Sequence, residues 1–184
     1  MITIESNSER IALTIKDEPA SILRASLRAM NSAMKSARTV MKTAISDDTG
    51  LASGYVLRKL VLNEANRAQP RATLRSGLTR LSLAEFGGRQ TKRGVTYKIG
   101  GERRSLPGAF IATMPSTGNR GVFKRNKKFG RNDNPRLERI SQMYGPSLGH
   151  VFGKYRPAGL AKLQEVFEGR FDHELEYART ETPT

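Results

Sequence analysis

Apolar positions along this chain change period twice, near Pro70 and again near Pro157. From Ala20 to Ile45 the apolar residues Leu23, Leu27, Met30, Met34, Ala37, Met41 and Ala44 follow one another in alternating steps of four and three. That spacing predicts a helix of about 27 residues, roughly 40 Å long, with a single narrow apolar seam. Asp17-Glu18-Pro19 supplies its start, with Asp as a capping residue and Pro in the first turn, and Asp47-Asp48-Thr49-Gly50 supplies its end. The seam fits two settings equally. It can pack on the protein's own sheet, or Leu23, Leu27, Met30, Met34 and Met41 can meet a second copy as an oligomer seam. One position round lies a row of cations, Arg24, Arg28, Lys35, Arg38 and Lys42, which reads as a solvated flank or as a basic stripe beside the seam.

Ahead of this helix, Ile2–Ile4 and Ile11–Ile15 alternate weakly and are rich in β-branched residues, as a short hairpin would be. After it, Val56, Leu57, Leu60, Val61 and Ala65 predict a second helix over Ala52–Asn66, ended by Pro70. Between Pro70 and Pro157 the period falls to two. The β-like stretches are Ala72–Leu83, Gly94–Ile99, Ala109–Met114 and Gly121–Lys124, separated by Gly87-Gly88, Gly100-Gly101, Pro107-Gly108 and Ser116-Thr117-Gly118-Asn119. Helical spacing returns over Gly159–Arg179 in Leu160, Leu163, Val166, Phe167, Phe171, Leu175 and Ala178. The order predicts an α+β fold with a long N-terminal helix, a central antiparallel or mixed sheet over about residues 72–125, and a C-terminal helix. Residues 1–18 are expected as a strand or arm and residues 19–179 as one domain. A basic loop over 119–136 and a frayed tail at 180–184 complete the expected organisation.

Charge changes the picture more than composition does. Residues 1–50 carry 7 Lys/Arg against 6 Asp/Glu and residues 141–184 carry 5 against 6, whereas residues 51–140 carry 20 against 5. That central surplus of 15 equals the formal charge of the whole 184-residue chain. A region loaded in this way is suited to a polyanion or an acidic partner surface. The candidate contacts are Arg58, Lys59, Arg67, Arg71, Arg75, Lys92, Arg93, Arg103, Arg104, Arg120, Lys124, Arg125, Lys127, Lys128 and Arg131. Phe123 and Phe129 are interleaved, but Trp is absent, which favours contact with phosphates over stacking of bases. No recognition-helix or zinc-finger pattern is present, so sequence-specific reading is not expected. The hydrophobic fraction of 37% predicts a thin core or one completed by neighbours.

Little in the chain suggests catalysis. There is no Cys, and His150 and His173 are isolated from each other and from any nucleophile. No Gly-rich segment ends in Gly-Lys-Ser/Thr, and the glycines at 87–101 lack dinucleotide spacing. Glu64, Glu85, Glu102, Asp133 and Glu138 are too dispersed for a paired-metal site. No enzyme activity, metal or cofactor is expected. Residues 1–5 show no export-signal pattern, and no apolar run approaches a membrane span, so no membrane partner is expected.

Pro107-Gly108-Ala109-Phe110-Ile111, Gly121-Val122-Phe123-Lys124-Arg125 and Tyr144-Gly145-Pro146-Ser147 resemble the minor tail protein Z family of long-tailed phages and prophages. The likeness extends to Val56-Leu57-Arg58-Lys59-Leu60-Val61 and Pro70-Arg71-Ala72 behind a long helix, and covers most of residues 20–150. The resemblance implies a virion structural protein of the tail that completes it at the neck, located in the virion and in the host cytoplasm during assembly. It further implies a homo-oligomeric ring, a hexamer, at the head-proximal end of the tail tube. The implied partners are the tail tube or tail terminator protein, the tape measure protein, and genomic double-stranded DNA held without sequence preference. The family carries no catalytic residues to transfer. The alternatives are a nonspecific nucleic-acid-binding protein of the host cell, which needs neither ring nor tail partner, and a head–tail connector subunit on the portal side.

Overall fold

The computed structural model describes residues 2–7, 10–15, 20–77, 80–115, 117–125 and 140–180. The chain forms two compact units. The first holds β1 (Ile2–Asn7), β2 (Arg10–Ile15), most of α1 (Ala20–Thr49), α2 (Ser53–Lys59), β3 (Leu60–Asn63), β4 (Arg71–Ser76) and α3 (Leu148–Thr180). The second holds Ser46–Leu51 with β5 (Arg80–Ser82), a 3₁₀ turn (Leu83–Phe86), β6 (Arg89–Thr91), β7 (Gly94–Ile99), β8 (Glu102–Pro107), β9 (Ala109–Thr113), β10 (Arg120–Arg125) and β11 (Ile140–Ser147). The α+β expectation holds, with long helices near both ends and antiparallel sheets.

In the first unit the sheet runs β1-β2-β4-β3, every pair antiparallel. Alternation decides its faces: Ala72, Leu74 and Ser76 of β4 are buried while Arg71 and Arg75 are exposed. Helix α1 buries a broad stripe that includes Ala25, Ala29, Met30, Ala33, Met34, Ala37, Met41 and Ile45. Four of these are alanines, which let neighbouring backbone come close. The helix ends where the Gly50 N–H donates to the Ser46 carbonyl at 2.8 Å.

Two helix boundaries differ from expectation. The second helix stops at Lys59, because Leu60 turns extended (φ −89, ψ 96) and Leu60-Val61-Leu62 joins β4. Leu60 and Leu62 then lie on the core face and Val61 outside, so a short apolar run with helical spacing served equally well as an edge strand. Asn31 fixes the following turn: its amide donates to the Ala65 carbonyl at 2.9 Å and accepts from the Ala65 N–H at 2.8 Å. The C-terminal helix begins at Leu148, with Pro157 inside it. Pro157 forfeits the bond its N–H would give to the Gly153 carbonyl. The turns before it are held by buried Leu148, Val151 and Phe152, so packing outweighs the break. Beyond it, Phe167 and Phe171 stack at 5.5 Å, and Glu174 binds Arg28 of α1 at 3.1 Å.

The strands expected as one sheet over 72–125 are shared among three. Beyond β4 they form β5-β11-β10-β9 and β6-β7-β8, and β11 reaches in from outside the expected span. Arg120–Arg125 is a strand rather than the start of the basic loop: Gly121, Val122 and Phe123 are buried, and β10 pairs with β9 on one side and β11 on the other. The rest of that loop, residues 126–136, and residues 181–184 of the tail lie outside the described residues.

Candidate polyanion-binding surfaces

In the first unit the cations gather on the outer face of the four-stranded sheet. Arg75 of β4 stands directly opposite Arg10 of β2, and Arg71 is four residues along the same face. Glu5 of β1 compensates them, its Oε2 accepting from Arg71 at 2.6 Å and lying 3.8 Å from Arg10. Arg58 and Lys59 are exposed at the end of α2, with the Lys59 ammonium 5.8 Å from the Tyr55 ring centroid. Arg67 is exposed in the turn after β3. The basic row on α1 is largely satisfied internally: Arg28 pairs with Glu174, Lys35 with Glu64 at 3.0 Å, and Arg38 donates to the Leu57 carbonyl at 2.8 Å.

The seam residues of α1 are part of the core of the single chain. Met30, Met34 and Met41 are wholly buried, Leu27 nearly so, and Leu23 half-buried. A second copy could reach them only by unpacking that core.

In the second unit the β6-β7-β8 sheet carries Arg89, Lys98, Arg103 and Arg104 on its strands and Lys92 and Arg93 in the turn between β6 and β7. Gly100-Gly101, with φ 61 and 81, makes the two-residue turn that sets Ile99 opposite Glu102, Lys98 opposite Arg103 and Tyr97 opposite Arg104. On the other side Arg89 pairs with Thr96. Because side chains alternate, Arg89, Lys98 and Arg103 share one face with Thr91, Thr96 and Ser105, while Gln90, Val95, Tyr97, Glu102, Arg104 and Leu106 share the other. The second face packs inward at Val95, which is wholly buried. There Gln90 ties the hairpin to β9: its Oε1 accepts from the Ile111 N–H at 2.8 Å, and its Nε2 lies 3.2 Å from the Gly94 carbonyl oxygen. Lys92 and Arg93 are exposed in the β6–β7 turn. Sequence reasoning missed Arg10, Arg89 and Lys98 as members of these faces. The Gly-Gly turn was the available signal, since counting outward from it yields the register.

Strand β10 exposes Arg120, Lys124 and Arg125, and the Arg125 guanidinium sits 5.5 Å from the Phe110 ring centroid. Lys127, Lys128 and Arg131 lie outside the described residues. Among the described residues no three His, Asp or Glu side chains gather as a metal-holding group, and His150 and His173 are exposed on α3. No described helix is long and apolar enough to cross a membrane. What these surfaces can do is neutralise charge, through separate guanidinium and ammonium groups on rigid strands.

Comparison with known proteins yields one family. The family model described as prophage minor tail protein Z matches residues 15–181. No curated protein and no solved structure matches the chain.

Proposed function

Since the chain belongs to the prophage minor tail protein Z family and is thus a structural component of the virion tail, we propose that it is a tail completion subunit. It would form a ring at the head-proximal end of the tail tube, with basic surface toward the DNA path. The observation that carries this reading is the match over nearly the whole chain, joined to exposed cations of which Arg71, Arg75, Arg103, Arg104, Arg120, Lys124 and Arg125 are carried on strands. Phage DNA passes through the tail regardless of its sequence, and positive charge on such a path neutralises phosphates without reading bases.

Ring contacts through the α1 seam would disrupt the core, so the sheet edges are the better route. Among the described residues nothing pairs with the outer side of β1 or β3. Strand directions alternate across β1-β2-β4-β3, so β3 of one copy placed beside β1 of the next stays antiparallel. That contact is head-to-tail, the kind that closes into a ring. The partners are then the tube or terminator protein below and DNA within, met in the host cytoplasm during assembly.

Negative-stain microscopy of tail tubes mixed with the purified protein tests the reading. Added density confined to one tube end, with the sixfold outline of a ring, is the expected result. Tubes with bare ends, or decorated along their length, would overturn it.

A further inference from the structure

We infer that the outer face of the β6-β7-β8 sheet is a phosphate-backbone binding site, with Arg89, Lys98 and Arg103 as its ligating cations. The inference rests on the proposed DNA contact and assigns it to one face of one sheet.

The starting point is an uncompensated repulsion. Lys98 and Arg103 are directly opposed across β7 and β8, which brings their Cβ atoms to about 5 Å. Like charges so placed weaken a sheet. Arg89 joins them from β6 on the same face, and all three are exposed. The only carboxylate in these strands, Glu102, is on the opposite face and is bound to Arg104 at 3.1 Å. Among the described residues none of the three cations has an acidic partner.

The sheet of the first unit shows the contrast. Arg10 and Arg75 are also directly opposed, but Glu5 stands in the next strand and reaches both Arg10 and Arg71. One sheet carries its own counter-ion; the other leaves the place open for an anion from outside.

The remaining groups on the face suit phosphate oxygens. Thr96 and Ser105 are hydroxyl donors in the rows beside the cations, Thr91 gives its hydroxyl proton to the Gly94 carbonyl at 2.9 Å, and the one apolar side chain on this face, Pro107, stands at the Gly94 end away from Lys98 and Arg103. Three cations on adjacent strands, about 4.8 Å apart, match a ligand with closely spaced repeating charge better than a single small anion. An acidic protein segment would normally bring apolar anchors as well, and this face offers them only Pro107 at one end, with no apolar pocket among the cations. The polymer is therefore double-stranded DNA held by its backbone.

The test uses the full-length protein and a random-sequence duplex, with affinity measured between 50 and 200 mM salt. Lys98→Thr and Arg103→Thr, residues suited to a strand, are each expected to reduce the slope of log affinity against log salt by about one. Without DNA at low salt, the same variants should melt about 1–3 °C higher than the parent, because the opposed charges are gone. Weaker binding with greater stability is a combination that a merely structural role would not produce. Arg104→Gln removes a cation from the opposite face and should leave the salt slope unchanged. If the parent binds DNA and the two threonine variants keep its slope, this site is wrong while the DNA-path reading stands. If the parent fails to bind duplex at any salt, that reading falls and the site with it. If the variants bind DNA normally but no longer associate with tail tubes, the face serves a protein and the inference is overturned.

Discussion

At the scale of single residues, backbone space decides more here than side-chain chemistry. Gly94 opens β7 at φ 150, and a Cβ added there would lie 2.2 Å from the Leu106 carbonyl oxygen and 2.9 Å from the Pro107 Cα. Neither neighbour is a flexible side chain that can move aside. Gly94→Ala should therefore cost about 2–3 kcal/mol, a fall in Tm of about 5–10 °C. It should also weaken DNA binding, because it separates β7 from β8 beneath Lys98 and Arg103. Calorimetry checks the first effect; a Gly94→Ala protein as stable as the parent would mean the hairpin is not held as described. Cations legible as a list in the sequence became two faces only once partners were known. Arg103 and Arg104 are adjacent in sequence yet point to opposite sides, whereas Lys98 and Arg103 are five apart and directly opposed.

Among the elements, what was legible depended on length. The helix over α1 and the turns at Gly87, Gly100-Gly101 and Gly108 stand where periodicity and turn chemistry put them, because many positions agree in each case. Short or interrupted signals failed. Leu60-Val61-Leu62 fits a helix or a strand, and only pairing with β4 selects the strand. Pro157 reads as a boundary, and only burial of Phe152 and its neighbours shows that the helix passes through it. The position of the α1 seam was undecidable from spacing alone, since apolar side chains at steps of three and four serve a core and an interface equally. Burial supplies an element-scale test. Met34→Lys places an ammonium where the side chain is wholly enclosed, and should abolish cooperative folding by circular dichroism. A folded Met34→Lys monomer that had merely lost its neighbours would return α1 to the oligomer interface. A matched change on the sheet edge, Val61→Lys, should leave the monomer folded and burden β3 with a charge that opposes a neighbouring strand; Val61 is exposed, and β3 is an edge. Sedimentation of the Val61→Lys protein as rings would exclude that edge.

For the whole molecule, the question is how subunits of formal charge +15 stand side by side. Copies arranged so that their basic faces share one channel repel one another, and at 0.01 M salt that repulsion reaches about 30 Å, against about 3 Å at 1 M. Self-association should therefore be poor in dilute buffer and rise with salt as the repulsion is screened. Duplex DNA should promote the same association at low salt, because its phosphates supply the missing negative charge in the channel. The two routes respond oppositely to added salt: ring formation without DNA strengthens with it, while DNA-promoted assembly weakens as counterions compete for the cations. Analytical ultracentrifugation between 50 mM and 1 M salt, with and without a short duplex, separates them. The expected record is monomer in dilute buffer, rings at high salt, and DNA-bound rings only toward the low end. Rings equally stable at every salt concentration and indifferent to DNA would place the basic faces outside a shared channel. The central charge would then serve separate contacts on the outside of the tail.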